Sequence, residues 1–193
     1  MPTVIFVLAA VVVLAGLWTI AAFNGLVRLR NLVQEAWRQI DVELSRRHDL
    51  IPNLLATVKG YAAHERDVLG EVTRARAAAG SPASPAAQAQ HEQELSQSLG
   101  HLFAVAESYP VLRASENFQQ LAAELANTED RIAAGRRFYN ANVRILNTRV
   151  ETFPVSIIAS MFCFWRAEYF ATEDPGERAV PIVDFAMSDQ SRL

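Results

Sequence analysis

The chain has 193 residues, of which 51% are hydrophobic and 20% charged, with a formal net charge of −3. A charge balance this even argues against a nucleic-acid-binding protein, which would show a basic excess or a basic face. The length allows one domain of about 150 residues plus an anchor. Because Cys163 is the only cysteine, an intramolecular disulfide and a cysteine metal cluster are excluded. We expect Cys163, between two phenylalanines, to be a small buried hydrophobic residue.

The first predicted element is a membrane anchor. Residues 3–23 carry no charge and are long enough to cross a bilayer as a helix, which takes about 20 residues. A cleaved signal peptide is the alternative, but it would have a positive start and a shorter apolar core. Arg28, Arg30 and Arg38 follow the segment, whereas no Lys or Arg precedes it. The sequence therefore predicts a single-pass protein of the inner membrane, with its N-terminus outside and its C-terminal domain in the cytoplasm.

A long helix follows the anchor, because apolar residues recur every seven residues from Leu26 to Ala79 in two rows offset by four. These rows are Leu26, Val33, Ile40, Arg47, Leu54, Tyr61, Val68 and Ala75, and Arg30, Trp37, Leu44, Ile51, Val58, Glu65 and Val72. At about 1.5 Å per residue the helix would be a rod of roughly 80 Å. We expect a kink or a short break at Pro52, where Asp49 could cap a restarted helix; the continuing register favours the kink.

Two more helices are predicted beyond Gly80. The first runs from about Pro85 to Ser108, with Ser84 as its N-cap. The second begins at Ser115, ends at Pro154 and has an apolar residue at every seventh position. That row is Phe118, Leu125, Ile132, Tyr139, Leu146 and Phe153. Residues 157–170 are aromatic-rich and are predicted to form a short helix and a turn.

The predicted fold class is all-α. An N-terminal transmembrane helix would be continuous with an antiparallel bundle of long helices, because apolar stripes on three helices cannot remain exposed. In this bundle the last long helix folds back along the first. The predicted divisions are a transmembrane anchor at 1–25, a helical bundle domain at 26–170 and an extended C-terminal tail at 171–193.

Four charged residues interrupt the apolar stripes, and a buried charge without a partner is costly. We therefore expect them to pair between helices or to emerge at the edge of the bundle. Two interpretations remain open: salt bridges that fix the register of the helices, or a polar surface for a partner. The four residues are Arg47, Glu65, Glu129 and Arg136.

The sequence gives no catalytic, cofactor or metal site. A helical zinc hydrolase would carry H-E-x-x-H, but Val68 stands where His64-Glu65 would need its second histidine. Leu95 stands at the same place after His91-Glu92. Phosphate-binding glycine loops and the G-x-S-x-G nucleophile motif are also missing from the sequence. We therefore expect a protein that is not an enzyme and needs no cofactor.

The chain resembles the LemA family in five runs of residues. They are N-G-L-V-R-L-R-N-L-V-Q-E-A-W-R-Q-I-D-V-E-L (24–44), R-R-H-D-L-I-P-N-L-L-A-T-V-K-G-Y-A-A-H-E (46–65), F-A-V-A-E-S-Y-P (103–110), N-T-E-D-R-I-A-A-G-R-R-F-Y-N (127–140) and N-T-R-V-E-T-F-P (147–154). The resemblance implies an anchored bacterial membrane protein with a long-helix bundle and no catalytic residues. It also implies, as partners, a membrane-bound heat-shock zinc metalloprotease or a TPM-domain protein. The chain departs from the family pattern of Phe-Gly-Phe followed by Lys and Pro, because F-C-F-W-R stands at 162–166.

The expected function is that of a non-enzymatic, membrane-anchored scaffold at the inner face of the membrane. It would contact membrane lipid through its N-terminal helix, and would self-associate as a homo-oligomer or recruit partners, with no nucleic acid among them. Two alternatives are a regulatory subunit of a membrane metalloprotease and a small-molecule or signal receptor that uses the bundle interior. Whether the protein forms ordered assemblies is left open.

Overall fold

The computed structural model describes residues 2–62, 64–81 and 83–170, and this part of the chain is helical without strands. This confirms the predicted all-α class. The predicted tail at 171–193 lies outside the described residues. The helices are α1 (Pro2–Tyr61), α2 (Arg66–Ala79), α3 (Pro85–Ala106), α4 (Pro110–Arg113), α5 (Glu116–Glu151) and α6 (Val155–Met161).

Helix α1 runs without a break from the apolar N-terminus into the bundle. An 18-residue window near its N-terminus has a mean hydropathy of 2.7, and none of that window is buried within the structure, so this part of α1 is a candidate membrane span by length and composition. Burial begins at Leu26 and recurs along one face to Val58. The buried residues of α1 are Leu26, Val33, Ala36, Ile40, Leu44, Arg47, Ile51, Leu54 and Val58.

Helix α5 lies antiparallel to α1, as predicted. Arg131 of α5 lies 3.4 Å from Glu43 of α1, and eight residues further along α5 the ring of Tyr139 lies 5.5 Å from the ring of Trp37. The predicted apolar row of α5 is buried from Phe118 to Leu146. The prediction is wrong for Phe153, the last residue of that row, because α5 ends at Glu151 and the Phe153 side chain lies beyond it and is exposed.

Of the two alternatives at Pro52, a kink or a short break, the structure excludes the break, because α1 passes through Asp49 and Pro52 as a continuous helix. Proline has no backbone N–H, so the carbonyl of His48, four residues earlier, loses its helical partner. Arg76 of α2 replaces that donor, since its Nε donates a hydrogen bond of 2.8 Å to the His48 carbonyl. The half-buried carbonyl is thus satisfied, and the buried neighbours Ile51 and Leu54 hold the helix against the core.

The predicted single rod from Leu26 to Ala79 is wrong, because α1 ends at Tyr61 and α2, which begins at Arg66, runs back along α1. The contact between Arg76 and His48 fixes this direction. Gly60 weakens the end of α1, since glycine lowers helix stability by about 1 kcal/mol relative to alanine. The reversal places Val72 in one apolar cluster with Val58 and with Leu95 of α3. A straight helix would carry Val72 away from Val58.

Helix α3 begins where the sequence predicts and returns beside α2. The Ser84 hydroxyl accepts a hydrogen bond of 3.5 Å from the Ala87 amide, and Pro85 occupies the first turn. At the other end, the Tyr109 hydroxyl reaches Glu65 at 2.7 Å. Helices α2 and α3 therefore form a hairpin over the distal half of the α1–α5 pair.

After α6, the chain returns along α5 as an extended segment held by two asparagines. Asn147 exchanges two hydrogen bonds with the backbone of Ala167, at 2.8 and 2.9 Å. Asn140 does the same with Phe170, at 2.9 and 3.0 Å. The two asparagines are seven residues apart on α5 and their partners are three residues apart on the extended segment. These separations match, because seven helical residues and three extended residues both span about 10 Å. The Tyr139 hydroxyl also donates to the Glu168 carbonyl at 2.8 Å, and burial raises the pKa of Tyr139 to about 12.

Replacing Arg76 by methionine tests how α1 tolerates Pro52. We expect the free energy of unfolding to fall by about 1–3 kcal/mol, because the His48 carbonyl is left without a donor. In a Pro52→Ala background the same replacement should cost much less, since the new N–H at position 52 bonds to that carbonyl. Unfolding of the full chain in detergent micelles, followed by circular dichroism, measures both values.

The matched control is Arg74→Met on the exposed face of α2, which should have little effect in either background. Equal losses from Arg76→Met with and without the proline would contradict this account of the helix.

Candidate functional site

A buried polar cluster joins α1 to α3 at the middle of the bundle. Its centre is Glu92 of α3, whose exposed fraction is 5%. One carboxylate oxygen lies 3.1 Å from Nη1 of Arg47, which is 3% exposed. The other is hydrogen-bonded to Nε2 of His48 at 2.9 Å and to Nε2 of Gln88 at 2.9 Å. Buried charges are tolerated when they are paired and hydrogen-bonded, and both conditions hold for Glu92.

Arg47 extends the cluster to α5 through its second terminal nitrogen. Nη2 donates to the Ser96 hydroxyl at 2.7 Å and lies 3.2 Å from a carboxylate oxygen of Glu129. The Glu129 side chain is 51% exposed, so the cluster reaches solvent on this side. A single arginine of α1 therefore bonds to side chains of two other helices, which fixes the axial position of all three.

Gln88 ties the end of α2 to the same cluster. Its Nε2 donates to the Ala79 carbonyl at 2.7 Å as well as to Glu92. Ala79 is the last residue of α2, and carbonyls at a helix end have no partner within the helix. The cluster thus satisfies a helix terminus together with the two buried charges.

A cavity of about 350 Å³ lies beside the cluster, between α1 and the loop that joins α2 to α3. His48 and Gln88 line it on the cluster side, and Asp41 and Trp37 line it along α1. The cavity could hold a small polar molecule. Among the described residues, no group of three or more His, Cys, Asp or Glu is placed to hold a metal ion. Within the cluster, both carboxylate oxygens of Glu92 are engaged by the side chains of Arg47, His48 and Gln88.

The structure brings together only two of the four charged residues singled out in the sequence. Arg47 and Glu129 are paired, as described above. Glu65 is half-buried and accepts a hydrogen bond from Tyr109 instead, which raises the pKa of the Tyr109 phenol. Arg136 lies exposed on α5.

Sequence reasoning missed Glu92, His48 and Gln88. A signal for two of them was present: Leu95 and Leu99 mark the buried face of α3, and stepping back along that face gives Glu92 and Gln88. Cys163 was also misjudged, because it is exposed. Its φ of 55° turns the chain between α6 and the extended segment, so its thiol does not face the core.

These features define a helical protein with a candidate membrane span and a buried ion-pair cluster inside its bundle. The model of the LemA family matches residues 36–185, so the chain belongs to the LemA family. This confirms the resemblance carried by the sequence runs.

Curated relatives agree with this assignment. The chain is 26% identical over 203 aligned positions to magnetosome protein MamQ 2 of Paramagnetospirillum magneticum, covering 92% of this chain and 74% of the relative. It is 24% identical over 184 positions to magnetosome protein MamQ of Magnetospirillum gryphiswaldense, covering 82% and 68%. It is 24% identical over 152 positions to protein LemA of Metamycoplasma hominis, covering 78% and 69%. None of these names states an enzymatic activity.

The energetic role of the cluster can be measured with a double-mutant cycle. We expect Glu92→Leu to lower the free energy of unfolding by about 3–5 kcal/mol, because it leaves Arg47 buried without its main partner. Adding Arg47→Met should recover most of the loss, since an apolar pair of similar volume can replace a buried ion pair. The measurement is denaturant unfolding of the full chain in detergent micelles.

The control is the exposed pair Glu35–Arg38, with a separation of 3.5 Å, where the same two types of replacement should stay within about 1 kcal/mol. A Glu92→Leu effect as small as the control would show that the cluster does not hold the helices together.

Proposed function

We propose that this protein is a non-enzymatic scaffold that holds a rigid helical bundle at the inner face of the membrane and offers it to protein partners, including further copies of itself. The observation that carries the proposal is the continuity of α1, which joins the candidate membrane span to the bundle core in one helix. A continuous helix of this kind fixes the position of the bundle relative to the membrane.

The polar cluster supports a structural role over a chemical one. Its charged groups are used in bonds between helices: Glu92 of α3 bonds to Arg47 and His48 of α1, and Arg47 bonds to side chains of α3 and α5. An active site would instead leave a nucleophile, acid or base free to meet a substrate. The names of the relatives, which include magnetosome proteins and LemA, support a membrane-associated role without naming a reaction.

Exposed apolar side chains on the α1–α5 pair support binding to other proteins. Beyond the candidate span, those along the length of the pair include Leu32, Val42, Phe138 and Ile145. Single exposed apolar residues are ordinary, but aromatic and aliphatic side chains are also the usual anchors of protein interfaces. We propose that this outer side of the pair contacts a second copy or another membrane protein. The basic residues Arg28, Arg30 and Arg38, which directly follow the span, support a cytoplasmic location of the bundle.

Photo-crosslinking in intact membranes tests this proposal. A benzophenone amino acid replaces Phe138, an aromatic residue of similar shape whose side chain is 48% exposed. We expect a discrete crosslinked product, identified by mass spectrometry as a second copy or as one partner, such as a membrane metalloprotease or a TPM-domain protein.

The same amino acid at Gln97, exposed on α3, is the control for random collision. If Phe138 and Gln97 give the same diffuse products, or only the monomer at each of the four apolar positions, the scaffold proposal is wrong.

A further inference from the structure

The end of the bundle nearest the candidate span carries a dense group of exposed apolar side chains. We call it the α6 edge; it consists of Phe153, Ile157, Met161, Phe162 and Trp165. Trp165 is 76% exposed and Phe153 is 75% exposed. Ile157 and Met161 are four residues apart on α6, so their side chains are neighbours on one face of that helix. Neighbouring exposed apolar side chains mark a binding site for another protein or for a membrane.

The position of the α6 edge is fixed by packing against α1. The buried side of α6, formed by Val155, Ile158 and Ala159, shares an apolar cluster with Leu26 and Phe164. The ring of Phe23, five residues before the first charged residue of the chain, lies 4.9 Å from Phe162 and 5.7 Å from Phe164, centroid to centroid.

This position coincides with the boundary of the hydrocarbon. Residues 3–23 span about 31 Å as a helix, close to the 30 Å of a bilayer core, so Phe23 lies where hydrocarbon gives way to headgroups. The α6 edge is beside Phe23 and therefore lies at the same depth. Tryptophan and tyrosine are enriched at this depth because their rings have an apolar body and a polar end, and Trp165 belongs to the edge.

The charges around the edge fit lipid headgroups. Arg28 and Arg30 are exposed on α1, and the guanidinium carbon of Arg30 lies 5.1 Å from the centroid of the Phe164 ring. Arg166 is exposed beside Trp165 and pairs with Glu151 at 2.9 Å. Basic side chains within the headgroup layer are attracted to anionic lipids.

The edge is also held rigidly. The hydrogen bonds of Asn147 to Ala167 begin two residues after Trp165, and those of Asn140 to Phe170 follow. The extended segment after α6 therefore cannot swing away from α5. Because the apolar surface is fixed at the depth of the interface, it is shielded from water only if lipid covers it.

We propose that the α6 edge lies in the interfacial layer of the same bilayer that α1 crosses, as a second point of membrane contact. The partner is lipid: acyl-chain ends and headgroup carbonyls around the aromatic rings, and anionic phosphates near the arginines. Two points of contact set the angle of the bundle to the membrane, which one helix cannot do alone. This inference rests on the membrane anchoring in the proposed function.

Spin-label accessibility tests the proposal on the full chain in vesicles of phosphatidylcholine and phosphatidylglycerol. Cys163→Ser removes the only native thiol, and a nitroxide is attached at Met161→Cys. Collision with lipid-soluble oxygen and with an aqueous nickel chelate reports the depth of the label. We expect the nickel collision rate at 161 to be several-fold lower than at Ala114→Cys, on the exposed distal end of the bundle, and the oxygen rate to be higher.

The other results are distinguishable. If nickel access is equal at 161 and 114 while a label at Leu14→Cys is buried in lipid, the inference is wrong but the membrane anchor stands. If the label at Leu14→Cys is exposed to water, the membrane anchor itself is wrong. Shielding of 161 from both reagents, with dipolar broadening between labels, would mean that a second copy covers the edge, and would also overturn it. Repeating the measurement at Ile157→Cys, with circular dichroism to confirm folding, guards against a local effect of one label.

Discussion

The structure depends on one constraint: the single helix α1 has to fit two environments, lipid at its N-terminal end and the core of the bundle beyond it. The N-terminal part of α1 is apolar on all sides, as lipid requires, whereas from Leu26 onward only one face is apolar and buried. The helix does not end between these two parts. The orientation of α1 about its own axis within the bundle therefore also determines which of its faces contacts α6 near the membrane. The site of α6 beside Phe23 and Leu26 is a direct consequence.

The buried cluster around Arg47 complements this constraint. Apolar stripes allow helices to slide by a turn at modest cost, since one leucine can replace another in a groove. A buried arginine does not allow sliding, because its charge must meet Glu92 and Glu129 at specific positions. The cluster therefore fixes the axial positions of α1, α3 and α5 relative to one another, and α1 continues from the cluster to the candidate membrane span. This arrangement supports the proposal that the protein offers its partners a surface of fixed orientation.

Sequence reasoning predicted the α1–α5 pair well, because its information is local. Rows of apolar residues at seven-residue spacing identified the buried faces from Leu26 to Val58 and from Phe118 to Leu146. The reversal between α1 and α2 was missed because Val68, Val72 and Ala75 of α2 continue the seven-residue spacing of α1. Periodicity records which face is apolar, and it does not record the direction of the chain.

The polar contacts were harder to predict, because each depends on residues far apart in sequence. Pro52 alone indicates a kink or a break, and only the fold shows that Arg76 supplies the donor that Pro52 lacks. Likewise, Arg47 alone indicates a buried charge, but its main partner Glu92 is named only once α3 is seen beside α1. The sequence thus located one half of each contact.

The central claim is that α1 is one rigid helix from the membrane into the bundle. A distance between spin labels at Leu17→Cys and Ser45→Cys, in the Cys163→Ser chain reconstituted in vesicles, tests it most directly. A continuous helix predicts a narrow distribution near 42 Å, at about 1.5 Å per residue. A broad distribution shifted to shorter distances would show a hinge between the span and the bundle, and would contradict the account.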